Sequence, residues 1–309
     1  MLVSKSKFYW YPIILIYCCI VTLYLGTAYS GGDKLVYNYL YEHLSDISSL
    51  PIGYLKTFQA AGASEPLFFL LYFISSKFIP KIIFDFILNL ALIFVLFELN
   101  NQYSRYKNIS MIALLTNFYT FVLLLPGEKL KIAFLTFLLL IVLGRHKIFT
   151  SLVVSSFFHF QFFINALFSI KKDLFKLNFI SVLLFSIVLI GLLLLGTKIL
   201  DKILFYMFRN DNIIIDILKI GFWGFLALII SKRSDKNLLY TATIVLILVS
   251  IALGSDRLVI VIYSIYFFIA IKSTSKISIS IFALAAVYYA MKSVFFILAI
   301  LRTGDGFNY

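Results

Sequence analysis

The chain is predicted to be all-α, a polytopic integral membrane protein with about ten to eleven transmembrane or re-entrant helices in one domain, residues 1–309. Two observations carry that prediction. Of 309 residues, 62% are hydrophobic and only 13% charged, about half the charged share of an ordinary soluble domain, and mean hydropathy is +1.01. The apolar residues fall in runs of about 20, the length that crosses a ~30 Å hydrocarbon core as helix. The alternation expected of a membrane barrel is missing, so helices must satisfy the backbone polar groups in lipid.

The elements follow in order. Lys5 and Lys7 precede a first run at 8–28. It is long for a signal-peptide core and further spans follow, so it is predicted to be a retained signal-anchor with a cytoplasmic N-terminus. Its adjacent Cys18 and Cys19 point in different directions on a helix, which suits small buried side chains better than a disulfide. A polar interruption, Tyr29 to Glu65, then forms a loop facing away from the cytoplasm, where Gly31-Gly32 lets the chain turn sharply. Further runs lie at 66–80, 81–99, 109–125, 130–144, 148–170, 178–198, 213–231, 237–254, 257–271 and 277–301, with a second sizeable loop at about 199–216. The prolines at 12, 51, 66, 80 and 126 mostly mark run edges, as helix breakers should.

One junction leaves two topologies open. Only Pro80, between Lys77 and Lys81, separates the runs 66–80 and 81–99. They are either two tilted spans or a re-entrant half-helix followed by one span. Full crossing puts Lys171/Lys172/Lys176, Lys232/Arg233/Lys236 and Lys272/Lys276 inside, but leaves Arg105/Lys107 and Arg145/Lys147 outside. Re-entrance brings the last two clusters inside at the expense of the later ones, so the positive-inside rule does not choose.

Charge excludes some functions. The balance of 27 Lys+Arg against 14 Asp+Glu gives +13, but the basic residues cluster at run ends, where they set orientation and meet anionic headgroups. That pattern, with no basic arm or binding motif, argues against nucleic acid. The three histidines, His43, His146 and His159, are far apart with no ligand-spaced partner, so no metal site is expected. No nucleotide-binding fingerprint is present, and no cofactor is expected.

Few ionisable residues lie in or beside the apolar runs, and such residues are candidates for function because they are costly there. Glu65 precedes Pro66, which suits a first helical turn; its carboxylate either complements the helix dipole or lines a cavity. Asp33 and Tyr37 share a face if their stretch is helical. In Gly127-Glu128-Lys129-Leu130-Lys131, Lys129 and Lys131 either grip an anion or snorkel from a connecting turn. His159, with Gln161 nearby, either bonds a neighbouring span or moves protons. Arg257 suits phosphate recognition or an interfacial pair with Asp256. Lys81, Asp85 and Asn89 form a polar stripe at i, i+4, i+8 that is expected to tie spans together.

The order of these features resembles the EpsG/Wzy-type polysaccharide polymerases. That family has a Gly-x-Asp-Tyr-like motif after the first span, matched here by Gly32-Asp33 with Tyr37. Its Glu-Pro-Gly-Phe/Tyr motif is matched by Glu65-Pro66-Leu67-Phe68. Its Arg-Gln-x-hydrophobic-Ala motif is matched by Gly127 to Ala133, and its Phe-His-x-Ser-like motif by Phe158-His159-Phe160-Gln161. The resemblance covers about residues 20–170. It departs in placing Lys129 where the family has arginine, which loses the bidentate fork, and in lacking the serine after the histidine.

The resemblance implies an enzyme, a membrane glycosyltransferase (an O-antigen, capsule or exopolysaccharide polymerase) in a bacterial cytoplasmic (inner) membrane. It would join undecaprenyl-pyrophosphate-linked oligosaccharide repeat units on the extracytoplasmic face, without a nucleotide sugar. Lys129, Lys131 and Arg257 would then stabilise the pyrophosphate. Glu65, His159 or Asp33 would serve the acceptor hydroxyl as base, with Tyr37 and Gln161 on the substrate side. Partners would be the lipid-linked substrate, membrane lipid, a flippase and a chain-length regulator. The alternatives are a flippase or transporter of lipid-linked sugars, for which no repeated halves are visible, and a membrane sugar acyltransferase.

Overall fold

Apolar runs bounded by lysines, prolines and glycines become helices, and every regular element among the described residues is helical. The computed structural model describes residues 5–61, 65–144, 151, 154–159, 213–231, 236, 239–240, 243–244, 246–247, 256–273 and 276–307. The chain divides into two compact units, Met1–Ala166 with Ala283–Tyr309, and Leu167–Phe282. The predicted runs at 178–198 and most of 148–170 and 237–254, and most of the 199–216 loop, lie outside the described residues.

The first span is α1 (Lys5–Cys19), a π-helical stretch (Ile20–Leu25) and α2 (Gly26–Ala28). The polar interruption is itself largely helical: α3 (Asp33–Asp46) and α4 (Leu50–Ala61). Then come α5 (Pro66–Phe78), α6 (Lys81–Tyr103), α7 (Lys107–Leu115), α8 (Phe118–Leu124) and α9 (Glu128–Gly144), and at the C-terminus α12 (Lys276–Thr303). In the second unit α10 (Ile213–Ile230) packs on α11 (Asp256–Lys272), with Trp223 against Tyr263 and Tyr266 at ring separations of 5.0 and 4.8 Å.

Among the described residues three helical stretches, Tyr9–Ala28, Lys81–Tyr103 and Ser278–Thr303, are long and apolar enough to cross a membrane, and α7 with α8 meets the same test taken together, bent by 57°. The chain is an all-α polytopic membrane protein. The bend falls at Thr116-Asn117, inside the predicted 109–125 run. Asn117 restarts the helix by accepting the Tyr119 N–H at 2.8 Å, the usual work of an N-cap. A break inside a span frees carbonyls that lipid cannot satisfy. Here hydroxyls from three helices take them: Thr120 on Leu114 O at 2.8 Å, Tyr17 on Leu115 O at 2.8 Å and Ser293 on Thr116 O at 2.6 Å.

The open question at Pro80 is answered by what α6 packs on. The start of α1 meets the end of α6, with Trp10 beside Phe97 and Tyr11 beside Phe94. Near its other end the first span meets the first half of α6, where Asn89 donates to Thr22 at 2.9 Å. The two are therefore antiparallel, and α6 starts on the face where the first span ends. A helix of 13 residues such as α5 is only ~20 Å long, short of the ~30 Å core. The geometry is the re-entrant one: α3, α4 and α5 leave and return to one face.

The parts of this insertion lock onto each other. α3 and α5 run side by side in the same direction, with Tyr37 against Phe68 and Tyr41 against Tyr72. At their common end the Lys77 ammonium donates to the Leu44, Ser45 and Ile47 carbonyls at 2.6–2.8 Å. A cation on the last turn of a helix satisfies carbonyls the helix leaves orphaned.

Candidate functional site

The insertion brings α5 across the N-terminus of α9, and the charged residues of both meet there. The sequence makes this happen locally. Pro66 and Gly127 start helices just after Glu65 and just before Glu128, and Pro80 restarts the chain as α6 at Lys81. Each helix start thus carries an ionisable side chain, and the fold points three starts at one another.

Three ion pairs result. Glu128, 1% exposed, takes the Lys81 ammonium at 2.9 and 3.0 Å on its two oxygens and the Tyr72 hydroxyl besides. Lys81 also donates to Asp85 at 2.6 Å and lies over the rings of Tyr41, Tyr72 and Phe84. One residue further on, Lys129 meets Glu65 at 3.4 Å. Its ammonium stands 5.9 Å from the Tyr37 ring and 5.6 Å from the Phe68 ring, within cation–π range.

Two further lysines complete the polar layer. Lys131 is 1% exposed and donates to Asn89 at 2.8 Å and to the Leu124 carbonyl at 3.2 Å. Lys34 is buried in the first turns of α3 and caps the Gly26 carbonyl at the end of the first span. Burial lowers its pKa below the ordinary lysine value, partly offset by Asp85 and Glu128. Among these side chains four ammonium groups (Lys34, Lys81, Lys129, Lys131) face three carboxylates (Glu65, Asp85, Glu128).

The site residues read from the sequence separate. Glu65, Lys129 and Tyr37 come together, although 64 residues separate Glu65 from Lys129. Asp33 lies exposed in the first turn of the same α3. Lys131, expected to bind pyrophosphate, is turned inward instead, because its position on α9 faces α6 and the Leu124 carbonyl is in reach. His159 is buried after a short helical segment, its N–H on the Ser155 carbonyl. Gln161 lies outside the described residues. Arg257 is in the first turn of α11, in the other unit. The stripe Lys81, Asp85, Asn89 ties spans together as expected. No group of three or more His, Cys, Asp or Glu suited to a metal occurs among the described residues.

Glu128 and Tyr72 were not singled out from the sequence. A glutamate following Gly127 at the start of an apolar run is itself a helix-start signal, but nothing in the local pattern shows that Lys81 and Tyr72 converge on it. Chemically, the layer offers one tightly held carboxylate and one looser carboxylate–ammonium pair on the face where the first span ends. No family model, no curated protein and no solved structure matches the chain.

Proposed function

We propose that the protein is a membrane glycosyltransferase that joins polyprenyl-pyrophosphate-linked oligosaccharide units into a polysaccharide, acting on the extracytoplasmic face of a bacterial cytoplasmic membrane. The observation that carries this reading is the Glu65–Lys129 pair at 3.4 Å, formed by the two motifs through which the chain resembles the polymerases and lying on the face of the polar insertion.

The chemistry asks for one base and one cation within reach of the same bond. The acceptor sugar hydroxyl attacks the anomeric carbon of the donor, and its proton passes to the Glu65 carboxylate. The bond from that carbon to pyrophosphate breaks, and the electron pair leaves on the pyrophosphate oxygen, beside the Lys129 ammonium. A substrate entering between the two side chains exchanges their 3.4 Å contact for these two. The aromatic rings of Tyr37 and Phe68 beside Lys129 give a sugar an apolar face to lie on.

Glu65→Gln and Lys129→Ala are expected to abolish long-chain polysaccharide while single repeat units still reach the surface, read as a ladder on a gel from a deletion strain carrying each variant. Normal ladders from both variants defeat the reading. Loss of single-unit export on deletion would point to a transporter instead.

A further inference from the structure

A second polar site lies at the start of α3, made by a turn of the insertion and the end of the chain. Gly32 has φ +55° and ψ −140°, a region closed to residues with a Cβ, and the turn so made is held by the C-terminus. The Ser30 N–H donates to the Gly304 carbonyl at 2.7 Å, and Gly304 also has positive φ, +76°. Phe296, Phe307 and Tyr29 pack around the junction. The C-terminal turn therefore delivers Asp305 to Gly31, 274 residues earlier in the chain.

Tyr29 is 3% exposed, yet its hydroxyl finds no hydrogen-bond partner among the described residues. A buried hydroxyl left unpaired is costly, so it calls for an explanation. The place where a Cβ on Gly31 would stand is 2.7 Å from an Asp305 carboxylate oxygen and 3.1 Å from the Tyr29 hydroxyl. A Cβ on Gly32 would lie 3.4 Å from the same hydroxyl. The glycine surface is thus flanked by a phenol and a carboxylate, with Asp33 next in sequence. Burial first, then Asp305 and Asp33, push the phenol pKa up, which keeps the group a hydrogen-bond donor.

We propose that Tyr29, Asp33 and Asp305 around the Gly31-Gly32 turn form a binding site for a sugar hydroxyl. The chemistry selects this class. The unpaired phenol O–H needs an acceptor, while a carboxylate has several lone pairs, so Asp305, which already takes the Phe307 N–H at 3.1 Å, can accept a further donor. A neutral hydroxyl meets both at one atom. An anion is repelled by the two aspartates, and a cation cannot accept from the phenol. The Lys34 ammonium stands 5.8 Å from the Tyr29 ring, but it is spent on the Gly26 carbonyl.

As part of the proposed polymerase, on which this step rests, the turn holds the acceptor sugar and Lys129 the leaving pyrophosphate. Asp33 and Tyr37 are one helical turn apart, ~6 Å along α3, and the Tyr37 ring borders Lys129. The acidic and basic subsites therefore share α3 as their floor.

The test uses the full chain purified in detergent, with glucose, galactose, N-acetylglucosamine, N-acetylgalactosamine and rhamnose as probes at millimolar concentration in thermal unfolding. At least one sugar is expected to raise the midpoint. Tyr29→Phe and Asp305→Asn are each expected to weaken that sugar by about tenfold, the worth of one good hydrogen bond lost, while Lys129→Ala keeps the shift. Without sugar, Tyr29→Phe is expected to raise the midpoint by about 2–4 °C, since an unpaired buried group is removed.

No shift from any probe overturns the site, and so does a shift that Tyr29→Phe leaves intact. A calcium-dependent shift lost in Asp305→Asn overturns it in favour of a cation. The two readings fail separately. A sugar shift that depends on Tyr29, together with normal ladders in Glu65→Gln and Lys129→Ala, keeps the site and defeats the polymerase. Lost ladders with no sugar shift do the reverse.

Discussion

Glu128 and Lys129 are neighbours in sequence, and each forms a glutamate–lysine pair across the same polar layer, but the two pairs are built differently. Glu128–Lys81 closes to 2.9 Å with the Glu128 side chain 1% exposed, and Tyr72 and Asp85 add further bonds. Lys129–Glu65 stands at 3.4 Å with side chains 9% and 12% exposed, longer than the 2.7–2.9 Å of a strong charge-assisted contact. The difference follows from where each partner sits. Lys81 begins a full-length span that packs on the first span and α9, so its position is fixed by helix packing. Glu65 stands at the N-cap position of a 13-residue helix in the insertion, not of a full-length span. A closed, multiply bonded pair holds helices together; an open pair of the same residue types can exchange its partner for a ligand.

The largest effect that would break this comparison is at Glu128. Glu128→Gln leaves a buried lysine with only part of its compensation, and removing one partner of a buried pair costs ~3–5 kcal/mol. Because Asp85 still holds Lys81 at 2.6 Å, the lower end, ~3 kcal/mol, is expected, measured as a fall in the unfolding midpoint in detergent. Glu65→Gln is expected to cost only ~1 kcal/mol in the same assay, since the amide oxygen can still face Lys129. Equal falls for the two variants would mean that both pairs are structural, and Glu65 would lose its claim to chemistry.

What could be seen in the sequence follows the same division. Apolar runs and their polar ends marked the spans, because burial in lipid writes itself into every residue of a run. The stripe Lys81, Asp85, Asn89 was readable as a tie between spans, because its members share one helix face. Re-entrance at Pro80 was not, since charge clusters counted equally for both topologies. It is decided by Asn89 on Thr22, 67 residues apart, and by the antiparallel packing of α1 on α6. Helix α3 alternates polar with apolar residues at helical spacing and α4 has only 12 residues, so neither makes an apolar run long enough to read as a span. The break in α7–α8 carries no proline or glycine; its signal is Asn117 as a helix start, visible only once a break is suspected. Lys131 looked like Lys129 in sequence, and only its place on α9 turns it inward.

Hydroxyl caps at the α7–α8 break supply the neutral reference against which the charged pairs can be read. Ser293→Ala removes the donor from the Thr116 carbonyl without touching a charge. The bend itself should persist, because the Asn117 cap and the Tyr17 and Thr120 hydroxyls remain in place. Hydrogen bonds between membrane helices average ~0.6 kcal/mol, because a chain unfolded in the membrane also finds partners. The expected fall in midpoint is therefore the smallest of the series, about a fifth of that for Glu128→Gln on the same scale. If Ser293→Ala proves as damaging as Glu128→Gln, the cost at Glu128 arises from any lost polar contact, not from an uncompensated charge. The distinction between a closed pair and an open one would then rest on geometry alone.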